Sequence, residues 1–433
     1  MSEPKIGNYR WTICALIFFA TTINYIDRNV ISFLKSTFTE QLGWTDGDYA
    51  NIEIVFKIFY ALGMIGAGRI IDKLGTKLGY GIYIFLWSLA GVATALVNTV
   101  LGFGIVRGAL GIAEAGNFPA AIKTVAEWFP KKERALATGI FNSGANIGAI
   151  VTPILVPMIV INWGWHWAFI LTGLLGFIWL IFWWILYEIP RRNGKVQAAE
   201  IAYIESDQEV VDNVVVDEPT YTWKQLLGFK QTWAFIIGKF LTDPIWWFYL
   251  FWLPDYFESV FHQKLTAASW PVAVVYIIST IGSIGGGWLP LWFIKRGMPV
   301  FKARKTSMLI YAFMVLPILF ALILGQINMW YAVGVIGLAA AAHQAWSANI
   351  FTTVSDMFPK SATGSVTGIG GMAGGVGGIA LSLFVQKQMF VYYRGINQIE
   401  TAYYIMFAIC GSAYLLGWLI MHILVPKMKP IAA

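Results

Sequence analysis

The chain has 433 residues, 58% of them hydrophobic and 12% charged, with a net charge of +7 and a mean hydropathy of +0.65. Soluble domains carry roughly a quarter charged residues, so this chain could not cover a water-facing surface; a bilayer removes the need, because lipid-facing side chains require no polarity. Cys14 and Cys410, far apart in apolar runs, and four histidines without ligand spacing support neither a disulfide framework nor a metal site, and no cofactor is expected.

Residues 1–10 are polar, and the apolar run after them leads into Asn24, Asp27 and Arg28 without a small-residue cleavage site. This reads as a first membrane helix, not a signal peptide. Twelve segments have the roughly 20 predominantly apolar residues a helical span needs. They lie near 11–31, 48–68, 78–98, 101–124, 135–160, 165–187, 232–254, 267–292, 306–325, 328–353, 363–388 and 402–425. Helix is the default because lipid-exposed backbone must bond within its own segment, and interior prolines such as Pro153 and Pro157 are tolerated there. Many of the 21 Trp lie near the ends of the runs, as interfacial belts require. The longest polar stretch, 188–230, carries Glu205, Asp207, Glu209, Asp212, Asp217 and Glu218 close to Arg191 and Arg192. It reads as a solvated cytoplasmic linker (191–230) between two six-helix halves, 1–190 and 231–433.

Of the 30 Lys and Arg, 21 fall on the side of the N-terminus, four (Lys35, Lys264, Lys387, Arg394) on the other, and five within spans. That bias places both termini in the cytoplasm. The positive charge is thus a topology signal and gives no argument for nucleic-acid binding.

The halves repeat. Glu127-Trp-Phe-Pro-Lys131 ends span four and Asp356-Met-Phe-Pro-Lys360 ends span ten, at an offset of 229 residues. The same offset aligns Ala137-Thr-Gly139 with Val366-Thr-Gly368, Gly148 with Gly377, and Glu114 with His343. Two halves in one orientation imply a pseudo-two-fold axis along the membrane normal and a central site between them. Small residues crowd spans five (Gly139, Ser143, Gly144, Ala145, Gly148) and eleven (Gly368 to Gly378). They fit either static close packing or a sliding surface between the halves.

Ionisable residues within spans need a reason, since charge in hydrocarbon costs a few kcal/mol even on lenient scales. Span one has Asp27 and Arg28; span two has Glu53 and Lys57; span four has Arg107 and Glu114; span seven has Lys239 and Asp243; span ten has His343. A crossed arrangement, Asp27 with Arg107 and Glu114 with Arg28, would hold both carboxylates ionised. Protonating an acid would then release its arginine for a substrate carboxylate, which couples proton to anion reciprocally. Asp243 precedes Pro244, which marks either a gate or a static kink. Tyr25, Tyr60, Asn142, Gln344 and Ser347, with Asn24, Asn117, Trp247 and Asn349, supply hydrogen bonds and flat surfaces suited to a hydroxylated ligand. No nucleophile or metal set stands out, so an enzyme is not expected.

Gly68-Arg-Ile-Ile-Asp72-Lys73-Leu-Gly75-Thr-Lys77 resembles the signature loop of the major facilitator superfamily, with a degraded second copy around Gly287, Lys295-Arg296-Gly297 and Arg304-Lys305. The resemblance implies a twelve-helix, all-α membrane fold in which Gly68, Asp72, Lys73, Gly75 and Lys77 form a cytoplasmic gate. More narrowly, Tyr25-Ile-Asp27-Arg28-Asn29, the run from Arg107 through Glu114 to Pro119, and Glu127-Trp-Phe-Pro130 with Glu133-Arg134 resemble the anion:cation symporter family. Its members carry sugar acids, sialic acid, phosphate and other organic anions, often with protons. The match implies proton coupling at Asp27 and Glu114 and substrate contact at Arg28. The reading of the in-span residues adds Arg107 as charge partner and Tyr25, Lys57, Tyr60, Asn142, Lys239, His343, Gln344 and Ser347 as further expected substrate contacts. Ala342-His343-Gln344-Ala345 and Lys239-Phe-Leu-Thr-Asp243-Pro244 look like the hexuronate branch. Ala145 and Gly371 stand where the galactonate carrier has glutamine and asparagine, which favours hexuronate. The expectation is a monomeric proton:hexuronate symporter of a bacterial inner membrane. The alternatives are another sugar-acid symporter, or an anion exchanger without proton coupling.

Overall fold

The structure is a computed structural model that describes residues 6–44, 46–206, 221–261, 265–381, 383, 387–427 and 429–431. Its described residues are mostly helical, with no strand among them. The expected twelve spans are present. In the first half they are Tyr9–Asn29, Asp46–Leu74, Thr76–Thr94, a two-piece span four (Val100–Glu114 and Asn117–Trp128), Lys131–Trp163 and Trp165–Leu186. In the second half they are Lys230–Phe261, Leu265–Lys295, a span nine of Val300–Val315 and Ala321–Ile327, Met329–Met357, Lys360–Ala380 and Ile399–Leu424. Large apolar side chains such as Phe19, Ile105, Ile161, Ile185, Ile281 and Ile423 are exposed on the outside, as lipid contact allows.

The repeated Phe-Pro-Lys motif acts as punctuation. A residue before proline is pushed out of the helical region. Phe129 (φ −127°, ψ 137°) and Phe358 (φ −116°, ψ 149°) are both extended, and spans five and eleven restart one residue after the proline. Side chains also set starts: Thr99 accepts from Gly102 N at 3.1 Å at the head of span four, and Asn328 from Trp330 N at 2.9 Å at the head of span ten.

Two spans differ from the continuous helices expected. Span four breaks between Glu114 and Asn117, where Pro119 lacks the amide that would have bonded the Ala115 carbonyl. Span nine has a 3-10 turn, Leu316–Phe320, around Pro317. Span seven runs through Pro244 as one helix.

Span one packs on spans five and six, span two on span four and span three on span six; in the second half, span seven packs on eleven and twelve and span eight on ten. The halves meet through spans two with eleven, five with eight and ten, and four with eleven. Gly68 shows how close they come: a β-carbon there would lie 2.6 Å from the Gly364 carbonyl carbon and 2.9 Å from Ser365 Cα. Gly75 has φ +77°, a backbone region that favours glycine, and turns the chain into span three.

The linker is docked where it begins, unlike the solvated connector expected. Buried Glu200, on the short helix Ala198–Ile204, accepts from Tyr9 N (3.1 Å), Arg10 N (3.0 Å) and Arg10 Nη1 (3.2 Å). Arg10 also pairs with Glu133 of span five at 2.9 Å. Asp207, Glu209, Asp212, Asp217 and Glu218 lie outside the described residues, as do Lys264 and the side chains of Lys35, Lys387 and Arg394.

Candidate functional site

Seven spans, one, two, four, five, seven, ten and eleven, line a cavity between the halves. Its water-occupiable volume is about 70 Å³, room for about five waters at 10–15 Å³ each. Eight of the nine expected substrate contacts line it together: Tyr25, Arg28, Tyr60, Asn142, Lys239, His343, Gln344 and Ser347. Lys57 is not among them. It pairs with Glu53 at 3.2 Å, and its ammonium lies 5.8 Å from the ring centre of the lining residue Trp247.

Arg28 is the centre of the first-half wall. Its Nε donates to Glu114 Oε2 at 2.8 Å, and its Nη2 to Asn24 Oδ1 at 3.2 Å. The rings of Tyr25 and Tyr60 each lie 4.7 Å from the guanidinium carbon. Aromatic faces around a guanidinium stabilise its charge and fix its plane. Glu114 is fully buried behind it, at the break in span four. The other half of the crossed arrangement takes a different form. Arg107 donates to the main-chain carbonyls of Asp27 (3.4 Å) and Arg28 (2.9 Å), and its charge acts on the Asp27 carboxylate without a hydrogen bond to it. The Asp27 carboxylate is buried and has no hydrogen-bond partner among the described residues. The neighbouring Thr172 hydroxyl donates instead to the Phe169 carbonyl at 3.5 Å. An unsatisfied buried carboxylate is costly in its charged form, a feature common at functional sites.

The second-half wall is built on spans seven and ten. Lys239 and Asp243, one turn apart, pair at 2.7 Å, with the Lys239 ammonium 3.9 Å from the Phe351 ring centre. His343 stacks on Trp246 (centroids 5.2 Å apart, planes 6° apart), and its Nδ1 lies 2.6 Å from the Tyr414 hydroxyl. Gln344 reaches across the halves: its Oε1 accepts from Asn142 at 2.8 Å and its Nε2 donates to Asn146 at 3.0 Å. Sequence reasoning missed Met64, Phe118, Trp246, Phe351 and Gly375 as lining residues. Among so many apolar and aromatic residues, only helix-face position marks them. Asn117 and Asn349 serve packing instead, bonding Tyr80 (2.6 Å) and the Gly286 carbonyl (2.7 Å).

On the linker side the cavity is closed in layers. Phe118 stacks on Phe351 across the halves, centroids 5.3 Å apart. Beyond them Asp72 accepts from Gly364 N at 3.1 Å and Ser365 N at 2.6 Å, capping the start of span eleven. Buried Lys123 bonds the same carboxylate at 3.0 Å, a partner the sequence reading did not identify. Asp356 pairs with Arg304 of its own half at 2.5 Å and with Arg134 of the other at 3.6 Å, while Arg304 donates to the Lys131 carbonyl at 2.6 Å. Of the remaining loop residues, Lys73 is exposed. Lys77 pairs within its half with Glu188 at 2.9 Å, and that hydrogen bond holds the Glu188 carboxyl below the usual carboxylate range.

Residues 17–382 match the Major Facilitator Superfamily. The chain belongs to this superfamily. It is 32% identical over 383 residues to the hexuronate transporter of Escherichia coli (strain K12), covering 88% of each chain. With the galacturonate transporter of Dickeya chrysanthemi it shares 33% identity over 291 residues, covering 67% of this chain and 84% of the relative. The solved proton:xylose symporter XylE superimposes at a TM-score of 0.72 and 16% identity over 97% of both chains, a likeness of fold. The major facilitator chain described here is thus a multi-pass membrane transporter, not an enzyme, and is related to carriers of sugar acids.

Proposed function

We propose that this transporter carries a hexuronate, galacturonate or glucuronate, together with protons, by alternating access across a bacterial inner membrane. In this reading the linker face is cytoplasmic, as the Lys and Arg bias argues, and the chain works as a monomer. The observation that carries the proposal is the Arg28–Glu114 pair, 2.8 Å apart, with Arg28 lining the cavity between the halves. A proton on Glu114 removes the charge that holds Arg28, and the freed guanidinium takes the substrate carboxylate. Asp27, buried without a partner, is the second proton-coupling acid, and Arg107 steadies that end of span one. Asn142, Gln344, Ser347, His343, Tyr25 and Tyr60 bond the sugar hydroxyls. Lys239 gives the second-half wall its positive charge, and Lys57 sits at the cavity's edge. Asp72 with Gly68, and the loop of Lys73, Gly75 and Lys77, form the cytoplasmic gate.

Relatives that carry hexuronate and galacturonate over most of the chain support the substrate class. The test is uptake by proteoliposomes offered galacturonate, glucuronate, galactonate and phosphate, with and without an imposed pH gradient. Hexuronate accumulation driven by an inside-alkaline gradient is expected. Accumulation of galactonate alone would move the substrate. Counterflow that ignores the gradient would replace symport with exchange.

A further inference from the structure

Among the described residues, three charged side chains line the cavity: Arg28, Lys239 and Asp243. Arg28 is balanced from behind by Glu114 at 2.8 Å, and Lys239 by Asp243 at 2.7 Å. Off the lining, opposite charges also lie side by side: Arg107 near the Asp27 carboxylate, and Lys57 with Glu53 at 3.2 Å. With His343 taken as neutral imidazole, the region has no net positive charge to offer. An anion entering such a low-dielectric space needs one compensating proton for each of its charges. Among the described residues, Asp243 is the one carboxylate that lines the cavity itself. Its seat is built for it: a β-carbon at Gly374 of span eleven would fall 2.8 Å from the Asp243 carboxyl carbon.

We propose that Asp243 sets the charge of the cavity and so selects singly charged sugar acids over doubly charged ones. The inference rests on the hexuronate reading above. A monoanion is matched by one proton, on Glu114, while Asp243 stays bound to Lys239. Asp27 and its neighbour Arg107 lie off the cavity, so the second carboxylate of a dianion has to be matched by a proton on Asp243, which breaks its bond to Lys239. The groups facing Asp243 do not ease that step. They are Lys239 on its own span, Tyr25 and Arg28 from span one, Tyr60 from span two, His343 from span ten and Tyr414 from span twelve. Span eleven offers glycines there, and span eight contributes no lining residue among those described.

The test compares galacturonate with galactarate, which share a carbon chain and differ by one carboxylate. Each competes against labelled galacturonate in counterflow with the purified full chain in proteoliposomes, for wild type, Asp243→Asn and Asp243→Glu. Removing one negative charge beside a bound anion, at an effective dielectric near 20, changes affinity by about one to two orders of magnitude. Asp243→Asn is therefore expected to shift preference toward galactarate by about tenfold or more, and to flatten the pH dependence of galacturonate affinity. Asp243→Glu is expected to restore the wild-type ratio. An unchanged ratio and pH profile in Asp243→Asn, with Asp243→Glu folded and active, overturns the charge count and leaves the hexuronate reading standing. Wild-type protein that does not exchange galacturonate overturns the reading itself.

Discussion

Replacing Asp72 with asparagine tests whether the linker face is held shut by the bonds described. The carboxylate accepts two amide hydrogen bonds from span eleven, at 3.1 and 2.6 Å, and one from Lys123 at 3.0 Å. Only the first two cross between halves. The Lys123 bond lies within the first half and survives any rocking of one half on the other, so it cancels from the equilibrium between closed and open states. Hydrogen bonds to a charged group contribute about 1.5–3 kcal/mol each and neutral ones about 1. Asparagine keeps one neutral acceptor for the two amides. Closure should weaken by about 2–5 kcal/mol, and the lower figure alone is a shift of about 30-fold in the closed-to-open ratio. Spin labels near the ends of spans four and ten on the linker face would report it by pulsed dipolar spectroscopy. A long-distance population should appear or grow in Asp72→Asn. If the distance distribution is unchanged while Asp72→Asn still folds, the latch carries no weight, and the Asp356–Arg134–Arg304 cluster alone closes this face.

Further outcomes follow from the same geometry. Glu114→Gln mimics the protonated acid, so gradient-driven accumulation in proteoliposomes should be lost while counterflow exchange persists. Arg28→Lys keeps the charge but not the planar fork that bonds Glu114 and Asn24; substrate affinity should fall about tenfold or more, because the two side chains are not interchangeable at a forked, ring-flanked site. Glu200→Gln weakens three bonds to the start of span one. Each bond to the charged group contributes about 1.5–3 kcal/mol and a neutral one about 1, so a fall of several degrees in the melting temperature of the detergent-purified chain is expected, with transport little changed.

Much of this arrangement is legible in the sequence because the bilayer leaves few options. Long apolar runs must be helices, a repeat at fixed offset must be a second half, and a charge inside a run must face protein. Those three rules turn the in-span charges Arg28 and Lys239 toward protein, and the polar residues offered beside them for a hydroxylated ligand line the same cavity. What they do not carry is pairing. Lys123 is visible only as a charge near the end of span four, and nothing local says that Asp72 is its partner. Arg107 and Asp27 attract on paper, and Arg107 also bonds main-chain carbonyls at the end of span one, whose free acceptors a charge count does not show. The break in span four was open to reading from Pro119. Placing it beside Glu114 needs only the rule that proline frees the carbonyl four residues before it.

The pseudo-symmetry shows how one backbone plan acquires two chemistries. Glu127 and Asp356 occupy equivalent places at the ends of spans four and ten. Glu127 is bonded by hydroxyls of its own half, Thr76 at 2.7 Å and Tyr187, whereas Asp356 meets arginines from both halves. The first arrangement makes a rigid end, and the second makes a contact that must break when the halves part. Glu114 and His343 are equivalent in the same way. The first faces an arginine, so its proton changes what the arginine can bind. The second is held between Trp246 and Tyr414, where a ring can offer a hydrogen bond without changing charge. In the proposed cycle this pair divides the labour through its partners: Glu114 titrates, and His343 recognises neutral hydroxyls. Exchanging the two, with histidine at 114 and glutamate at 343, should therefore fail to give a working carrier, because neither residue would find the partner that gives it its role.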